Sequence, residues 1–378
     1  MDLHLFNNFR LVDLLLILFV LAAIVQIFYY LYFFRRVGLS DTKIKKAKKA
    51  PVSIVICAKD EAVNLKNNLP AILDQNYPDF EVVVVNDCSE DGTEEILVGF
   101  LKKYSNLRVT TIKKDPKFTH GKKLALTIGI KAAKHEWLLL TDADCKPESA
   151  EWVSSMQKNF TNDNSIVLGY GGFYQRKGLL NTYIRFDTFF IALQYLSFAL
   201  AGNPFMGVGR NLAYRRSLFF DQKGFASHNK LASGDDDLFV NQSATANNTK
   251  TEYSEPAQVR AEAKKTFRGW VKQKKRHLTT GWHYNRKTKW LLGTELFSRI
   301  TFYILFILLL VFLKYVYVVL GAFLIRSIIM GVVFKNAMNR LNEKYLFLSS
   351  QVYDFISPIV NILLVLANKF SSREVKWK

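Results

Sequence analysis

Two aspartates separated by one residue follow an apolar run and are placed to share one ligand. Asp142 and Asp144 come directly after the segment Trp137–Thr141. In an extended segment, residues i and i+2 point to the same side, so both carboxylates face one site. Two like charges this close repel each other unless a cation lies between them. Hard oxygen ligands suit Mg²⁺ or Mn²⁺, which predicts a metal site; the alternative is a pair of turn-forming residues at a strand end.

Three successive aspartates form a second acidic cluster. Asp235, Asp236 and Asp237 follow Gly234. A cluster of carboxylates is electrostatically unfavourable, and a carboxylate near a cation and an acceptor hydroxyl can act as a general base. The alternative is a solvated acidic loop.

A third acidic position ends a run of valines. Asp87 closes the segment Phe80–Asp87, where its carboxylate can hold the edge of a base or a ribose. The alternative is an Asx turn that caps the next helix, a pattern that Asp91, Gly92 and Thr93 also carry.

A basic and aromatic cluster follows later in the chain. The segment Gln273–His277 lies among Arg268, Trp270, Trp282 and Trp290. Basic side chains beside tryptophans can clamp a diphosphate and stack a sugar ring. A basic, aromatic helix at a membrane surface has the same composition, so both interpretations stay open.

The elements that must position these clusters alternate between strands and helices. Short runs rich in β-branched residues predict buried parallel strands, and apolar spacing predicts helices between them. This order implies a mostly parallel sheet covered on both faces, in which ligands bind at the carboxyl ends of strands. The predicted strands are Val52–Cys57, Phe80–Val85, Arg108–Ile112 and Trp137–Leu140, and the predicted helices are Glu61–Leu73, Glu94–Tyr104 and Lys122–Lys134.

Both ends of the chain are apolar. Leu14–Phe34 is long enough for a span of ~20 residues, and Ile300–Phe334 fits two spans with a tight turn near Lys314. Tyr345–Ala367 contains Asp354 and Pro358, which favours a re-entrant or interfacial helix pair over a third span. The basic residues after Phe34 place the central domain in the cytoplasm, and we expect an integral protein of the bacterial inner membrane.

Composition restricts the class of protein further. The 378 residues include three cysteines without a CxxC pair, which excludes a disulfide framework and a structural zinc site. The formal charge of +20 is densest at Lys43–Lys49 and Lys264–Lys289, beside the apolar ends. Acidic lipid and an anionic substrate account for this charge, so we expect no nucleic-acid partner. We divide the chain into an anchor (1–36), a basic linker (37–50), a globular domain (51–290), two membrane helices (296–334), a third membrane or re-entrant segment (345–368) and a basic tail (369–378).

Taken together and in this order, the motifs resemble those of the membrane-bound inverting glycosyltransferases of family 2, in the group of cellulose and poly-N-acetylglucosamine synthases. They read VSIVICAKDEAVNLKNNL, FEVVVVNDCSEDGT, HGKKLAL, LLLTDADC, GVGRNLAYRR, GDDDLF and QKKRH. The resemblance implies an α/β domain of the GT-A fold, Rossmann-like with a mostly parallel sheet, flanked by transmembrane helices. It also implies a nucleotide-sugar donor, commonly a UDP-sugar, used with Mg²⁺ or Mn²⁺.

The resemblance assigns roles to individual residues. Asp142 and Asp144 match the residues that hold ribose, diphosphate and metal, and Asp236 matches the catalytic base. The other matches are to donor-binding residues: Glu61 and Asp87 at the nucleoside, Lys122 beside the nucleotide pocket, and Gln273 and Arg276 of the QxxRW motif.

Three features depart from the family pattern. His277 replaces the final Trp of QxxRW, which weakens the inference of a platform for a polymer; Trp270 or Trp282 is a candidate substitute. Asp237 makes the register of the acidic motif ambiguous, with Asp235 a less favoured base. Asn86 replaces the first residue of an acidic pair.

The acceptor stays open between two classes. The membrane segments are few and offer little material for a dedicated channel for a growing polysaccharide. This favours transfer to a lipid or a lipid-linked glycan over a processive polysaccharide synthase. An alternative of another class is a membrane scaffold that binds a nucleotide sugar without transferring it.

Overall fold

The computed structural model describes residues 3–40, 49–114 and 121–369. Most of the predicted basic linker, with Lys43, Lys45, Lys46 and Lys48, lies outside the described residues, as does His120 of the HGKKLAL motif. The predicted basic tail lies outside them from residue 370 onwards.

The chain begins with a long apolar helix. Helix α1 (Leu3–Phe28) continues through a π-helical segment, Tyr29–Phe34, into α2 (Arg35–Leu39). The segment Leu14–Phe34 contains no charged side chain, and its helical backbone pairs its polar groups internally. It can therefore lie in lipid. The helix that the sequence predicts here is confirmed.

The next elements alternate as predicted. The first, second and fourth of these strands are mostly apolar and almost fully buried, whereas the third lies at the edge of the sheet and is largely half-buried or exposed. Each helix packs an apolar stripe on the protein. The bounds differ from the predicted ones by three residues or fewer at each end. These elements are β1 (Val52–Ala58), α3 (Ala62–Leu73), β2 (Phe80–Asp87), α4 (Thr93–Leu101), β3 (Leu107–Ile112), α5 (Lys122–Ala132) and β4 (Trp137–Asp142).

The second half of the domain extends this sheet and adds a small one. Its strands are β5 (Cys145–Pro147), β6 (Ile166–Gly169), β7 (Gly171–Phe173), β8 (Leu212–Arg215), β9 (Thr249–Glu252) and β10 (Val259–Ala261). Its helices are α6 (Trp152–Gln157), α7 (Leu179–Leu200), α8 (Arg216–Asp221), α9 (Asp237–Ser243) and α10 (Phe267–Leu278), with 3-10 turns at Ala226–His228, Glu255–Ala257 and Gly281–His283.

The main sheet has seven strands in the order β3-β2-β1-β4-β8-β6-β9. All its neighbours are parallel except β8, which runs antiparallel to β4 and β6. The small sheet has the order β5-β10-β7. Strand β1 divides its side chains between two cores: Val55 and Cys57 face one, and Ile54 and Ile56 face the other. This alternation fixes the register, because a slip of one residue would exchange the two faces.

Three long helices follow the domain: α11 (Arg286–Phe312), α12 (Val316–Arg340) and α13 (Phe347–Lys369). The turn between α11 and α12 lies at residues 313–315, where the sequence predicts it. Four segments are long and apolar enough to cross a membrane, namely Leu11–Leu39, Arg286–Phe312, Val316–Arg340 and Phe347–Ala367. The chain is an integral membrane protein by this criterion of length and composition.

Helix α13 corrects one sequence prediction. It is a single continuous helix, although a helix pair was expected over Tyr345–Ala367. Pro358 lies inside it, where neighbouring polar groups can satisfy a freed carbonyl. Both halves of α13 contact the α/β domain, because Tyr353 packs on Tyr183 of α7 and Leu364 packs on Trp270 of α10. Its 23 residues, about 34 Å of helix, therefore run along the domain.

Candidate active site

A cavity of about 630 Å³ lies at the carboxyl end of β4, a size within the ~300–1,000 Å³ typical of ligand pockets. Ten of the sequence-predicted residues line it, although they come from four separate segments of the chain. They are Lys122, Asp142, Asp144, Asp235, Asp236, Asp237, Trp270, Gln273, Arg276 and His277.

Lys122 joins the two acidic motifs. Its Nζ lies 2.8 Å from Asp142 Oδ1 and 2.9 Å from Asp235 Oδ2. Burial alone would lower the pKa of Lys122, but the carboxylates of Asp142, Asp235 and Asp236 outweigh it and hold that pKa well above its ordinary value. Lys122 is the first residue of α5. The ammonium group therefore stays charged and neutralises part of the acidic cluster.

Asp236 faces the cavity, and backbone amides donate hydrogen bonds to both of its carboxylate oxygens. Its Oδ2 accepts a 2.7 Å hydrogen bond from the Gly209 amide, and its Oδ1 accepts one from the Asp237 amide. A Cβ at Gly209 would lie 3.4 Å from Asp236 Oδ2 and 3.2 Å from Lys122 Nζ, so a larger residue here would crowd both side chains. Burial, with the charges of Asp235 and Asp237, raises the pKa of Asp236 to about 7. A carboxylate with this pKa is suited to accept a proton near neutral pH.

The two neighbouring aspartates have other partners. Asp237 accepts hydrogen bonds from Thr280 Oγ1 and, at 2.7 Å, from Tyr284 OH, and it also caps α9 through the Leu238 amide. Burial raises the pKa of Asp237. Burial would also raise the pKa of Asp235, but Lys122 reverses this and holds it below its ordinary value. The geometry therefore favours Asp236 as the base, Asp235 as the partner of Lys122, and Asp237 as a structural residue.

Asp142, Asp144 and Cys145 each offer a ligand atom within 4.8 Å of the others. Burial and the charge of Asp142 raise the pKa of Asp144, a repulsion that a bound cation would relieve. Burial also holds the pKa of the Cys145 thiol well above its ordinary value, so the usable donors are the carboxylate oxygens. An oxygen set of this kind, open on the cavity side, fits Mg²⁺ or Mn²⁺ completed by phosphate oxygens.

Helix α10 supplies the basic wall of the cavity. It begins at Thr266, whose Oγ1 accepts a hydrogen bond from the Gly269 amide. Gln273, Arg276 and His277 line the cavity. Within the described part of the chain, Arg276 Nε is buried and has no hydrogen-bond partner. A guanidinium with an unused donor on the wall of the cavity is suited to bind a diphosphate oxygen.

The two tryptophans that the sequence offers as a stacking platform, Trp270 and Trp282, differ in their exposure. Trp270 is 3% exposed and packs at 5.4 Å between ring centroids on Tyr183, so little of its ring is free to stack on a sugar. Trp282 is 71% exposed and also lines the cavity. Of the two tryptophans, Trp282 offers the free ring.

Glu61 and Asp87 do not lie on the wall of this cavity. Glu61 follows β1, which lies beside β4 in the sheet, and Asp87 ends β2, the next strand after β1; both residues are buried. The loops that follow these strands are joined, because the Glu61 amide donates to Thr93 Oγ1. Asp91 Oδ1 accepts from the Thr93 amide at 3.1 Å, which confirms the Asx turn at this position.

Sequence reasoning missed two contributions to the site. Arg210 lines the cavity, stacks at 4.4 Å over the ring of Phe173, and interacts electrostatically with Asp144. Arg210 belongs to the motif GVGRNLAYRR, which indicates the family but does not by itself assign a role to this arginine. Lys274 forms a buried ion pair with Asp187 of α7, at 2.6 Å. Asp187 has no local motif, so only its packing against α10 identifies it.

The fold and the family follow from comparison with known proteins. A mannosyltransferase from Pyrobaculum calidifontis, solved in complex with GDP-Man and Mn²⁺, superposes with a TM-score of 0.62 over 96% of this chain and 100% of its own, at 15% identity. This likeness shows a shared fold. The predicted fold class, a GT-A-like domain with a mostly parallel sheet and long apolar helices, is confirmed.

Residues 53–221 match the profile described as glycosyl transferase family 2, and residues 165–339 match that of glycosyl transferase family group 2. Together the two profiles match residues 53–339, so the resemblance to glycosyltransferase family 2 is confirmed.

Two curated relatives match in part. The probable glycosyltransferase YdaM of Bacillus subtilis is 30% identical over 54% of this chain and 50% of its own. The poly-beta-1,6-N-acetyl-D-glucosamine synthase of Staphylococcus epidermidis is 29% identical over 30% of this chain and 27% of its own. The matched regions span half or less of the length of these relatives.

Proposed function

We propose that the protein transfers a sugar from a nucleotide-sugar donor, with inversion, to a lipid or lipid-linked glycan acceptor. The observation that carries the proposal is the arrangement in one cavity of Asp236 and of the pair Asp142 and Asp144, with Lys122 between the two motifs. The family resemblance supports the reaction class. The anchor, the basic residues after it and the acidic-lipid argument support a cytoplasmic domain at the inner face of a membrane.

The donor half of the site binds the diphosphate. Asp142 and Asp144 would hold Mg²⁺ or Mn²⁺, which supplies positive charge to the diphosphate leaving group. Arg276 binds a diphosphate oxygen through its unused Nε donor, and Gln273 adds a second polar contact from the same face of α10. Glu61 and Asp87 hold the nucleoside beyond this cavity, at the ends of the neighbouring strands.

The acceptor half of the site activates a hydroxyl or phosphate oxygen. Where the acceptor carries a hydroxyl, Asp236 takes its proton as the oxygen attacks the anomeric carbon from the face opposite the diphosphate. The bond between the sugar and the diphosphate breaks in the same step, so the configuration at the anomeric carbon inverts. Asp235 and Lys122 keep Asp236 oriented through their charges, while the Gly209 amide holds one of its oxygens.

Nucleotide release tests the proposal directly. Detergent-purified protein is incubated with UDP-, GDP- and dTDP-sugars, Mn²⁺ and membrane lipid extract, with and without EDTA, beside Asp236→Asn. We expect release from one donor, its loss in EDTA, and a fall of roughly 10²–10⁴ in the variant, the range that a general base contributes. Asp163→Asn, at an exposed turn away from the cavity, is the matched control. Binding of a nucleotide without release from any donor would favour the scaffold interpretation.

A further inference from the structure

The cavity continues past the carboxylates into the layer of long apolar helices. Its inner wall is formed by α7, α11 and α13, with side chains that include Ile191, Leu296 and Ile362. Asp236 and these apolar side chains therefore line one continuous space. A site for water-soluble substrates alone would not need an apolar extension between helices that are long enough to enter a membrane.

The α13 side of this wall is also part of the outer surface. Ile362 and Leu366 line the cavity, yet they are 39% and 49% exposed. They belong to an apolar stripe on α13, at helical spacing, whose other members are Leu348, Val352, Ile359 and Leu363. The opposite face of α13 carries Asp354 and Ser357 and packs on the protein. An amphipathic helix that runs along the domain with this stripe outward presents it to the membrane.

Polar groups on the inner wall are mostly paired within the protein. Arg299 Nε lies 3.2 Å from Glu295 Oε1, and Arg299 Nη1 donates to Ser357 Oγ at 3.4 Å. Among the described residues, Glu295 Oε1 and Asn361 Oδ1 are buried acceptors on this wall without a hydrogen-bond partner, and Glu295 Oε1 has the ion pair with Arg299 in its place. Asn361 is uncharged and has no such compensation. Asn361 lines the cavity one turn of α13 beyond Ser357. An unpaired buried amide oxygen is costly unless an occupant of the cavity donates to it.

We propose that the inner half of the cavity, between α7, α11 and α13, binds the hydrocarbon chain of a lipid acceptor. The lipid enters from the membrane beside Ile362 and Leu366 and presents its head group to Asp236, while Asn361 contacts a polar group near the chain. This inference rests on the proposed transferase function and selects the lipid among its acceptors. A glycan chain would need free polar side chains along this wall, and those of Glu295 and Arg299 are already paired.

Tryptophan substitutions test the passage, with matched controls on the same helices. Ile362→Trp and Leu296→Trp fill the inner wall. Leu363→Trp and Phe297→Trp add the same side chain at the adjacent positions, which are exposed and do not line the cavity. Each protein is assayed for nucleotide binding with Mn²⁺ and for transfer of labelled sugar into the organic-soluble fraction of a lipid extract.

We expect the two passage variants to bind nucleotide like the unmodified protein and to lose roughly tenfold or more in lipid transfer, while both controls keep both properties. Equal transfer in passage and control variants would overturn the inference, as would a labelled product that stays in the aqueous polymer fraction. No nucleotide release by the unmodified protein would instead contradict the proposed function.

A binding measurement keeps the inference testable even without turnover. The protein is reconstituted with a diazirine-bearing polyprenyl phosphate or, in a parallel sample, a diazirine-bearing diacylglycerol, and cross-linked peptides are identified by mass spectrometry. We expect cross-links on the inner wall that Ile362→Trp removes and Leu363→Trp keeps; the probe that gives them identifies a phosphate or a hydroxyl head group. Cross-links confined to the outer faces of α11 and α13 with both probes would overturn the proposal.

Discussion

At the scale of single residues, three adjacent carboxylates acquire different properties from their partners. Asp235 pairs with the ammonium group of Lys122, and Asp237 accepts hydrogen bonds from the hydroxyl groups of Thr280 and Tyr284. Asp236 receives backbone amides and stays beside the open cavity. Its pKa of about 7 results from burial and from its two charged neighbours. Of three identical residues in succession, one is thus suited to proton transfer.

The first prediction at this scale concerns pH. Asp236 acts as a base only when it is deprotonated, and its pKa is about 7. We therefore expect kcat/KM to fall as the pH drops through about 7 and to level off above it. The measurement is the pH profile of sugar transfer at limiting donor, with nucleotide binding followed over the same range as the control. A rate that is constant from about one unit below to one unit above this midpoint would exclude Asp236 as the titrating base.

At the scale of elements, α10 owes its position to contacts outside its own sequence. Lys274 Nζ lies 2.6 Å from Asp187 Oδ2 of α7, and both side chains are almost fully buried. Beyond the end of the helix, Thr280 donates to Asp237. These contacts hold Gln273 and Arg276 toward the cavity, so α7 positions two residues that we propose as donor-binding and that it does not itself carry.

Removing one member of this ion pair is expected to be strongly destabilising. Asp187→Asn leaves the ammonium group of Lys274 buried without a counter-charge, which costs about 3–5 kcal/mol. Because Gln273 and Arg276 share the helix, nucleotide affinity should fall as well. Thermal unfolding in detergent and nucleotide binding are the measurements.

The double variant Asp187→Leu with Lys274→Met is the control for this prediction. It replaces both charges with apolar groups of similar size, so its stability should return close to that of the unmodified protein. An Asp187→Asn protein with unchanged stability and affinity would show that the pair does not position α10.

At the scale of the whole molecule, a buried polar network joins the long apolar helices. Asp354 of α13 lies 2.7 Å from Arg326 of α12 and 3.2 Å from Arg299 of α11. Gln26 of α1 accepts a hydrogen bond from Arg326 at 2.9 Å, and Glu295 balances the charge of Arg299. Two cations and two carboxylates thus meet in one buried layer. Charges at such depth persist in lipid because they are paired.

This network predicts a large effect of one neutral substitution. Asp354→Asn leaves Arg326 and Arg299 with one carboxylate between them, and we expect a loss of about 3–5 kcal/mol in stability. The measurement is thermal unfolding in detergent and the yield of monodisperse protein. Asp13→Asn is the matched control, because Asp13 also forms an ion pair, with Lys314, but its side chain is 45% exposed; we expect stability to stay close to that of the unmodified protein. Equal stability of the two variants would contradict the assigned importance of the network.

Much of the α/β domain could be predicted from local patterns. Strands β1 to β4 and the helices between them appear where β-branched runs and apolar spacing predict them, because neighbours within a few residues decide both signals. The metal pair Asp142 and Asp144 is equally local, since their common direction follows from strand geometry alone. The family resemblance is confirmed, while the individual residue roles stay predictions.

Long-range contacts decide the rest. The three aspartates of the acidic motif are equivalent in the sequence, and they differ only through Lys122, Gly209 and Thr280, which come from distant segments. The sequence of α13 suggested a helix pair, because Asp354 and Pro358 interrupt its apolar pattern. In the structure, Arg299 and Arg326 neutralise that aspartate and the helix stays whole. A buried charge destabilises the protein when it is unpaired and is tolerated when it is paired. A partner on another helix leaves no local pattern in the sequence.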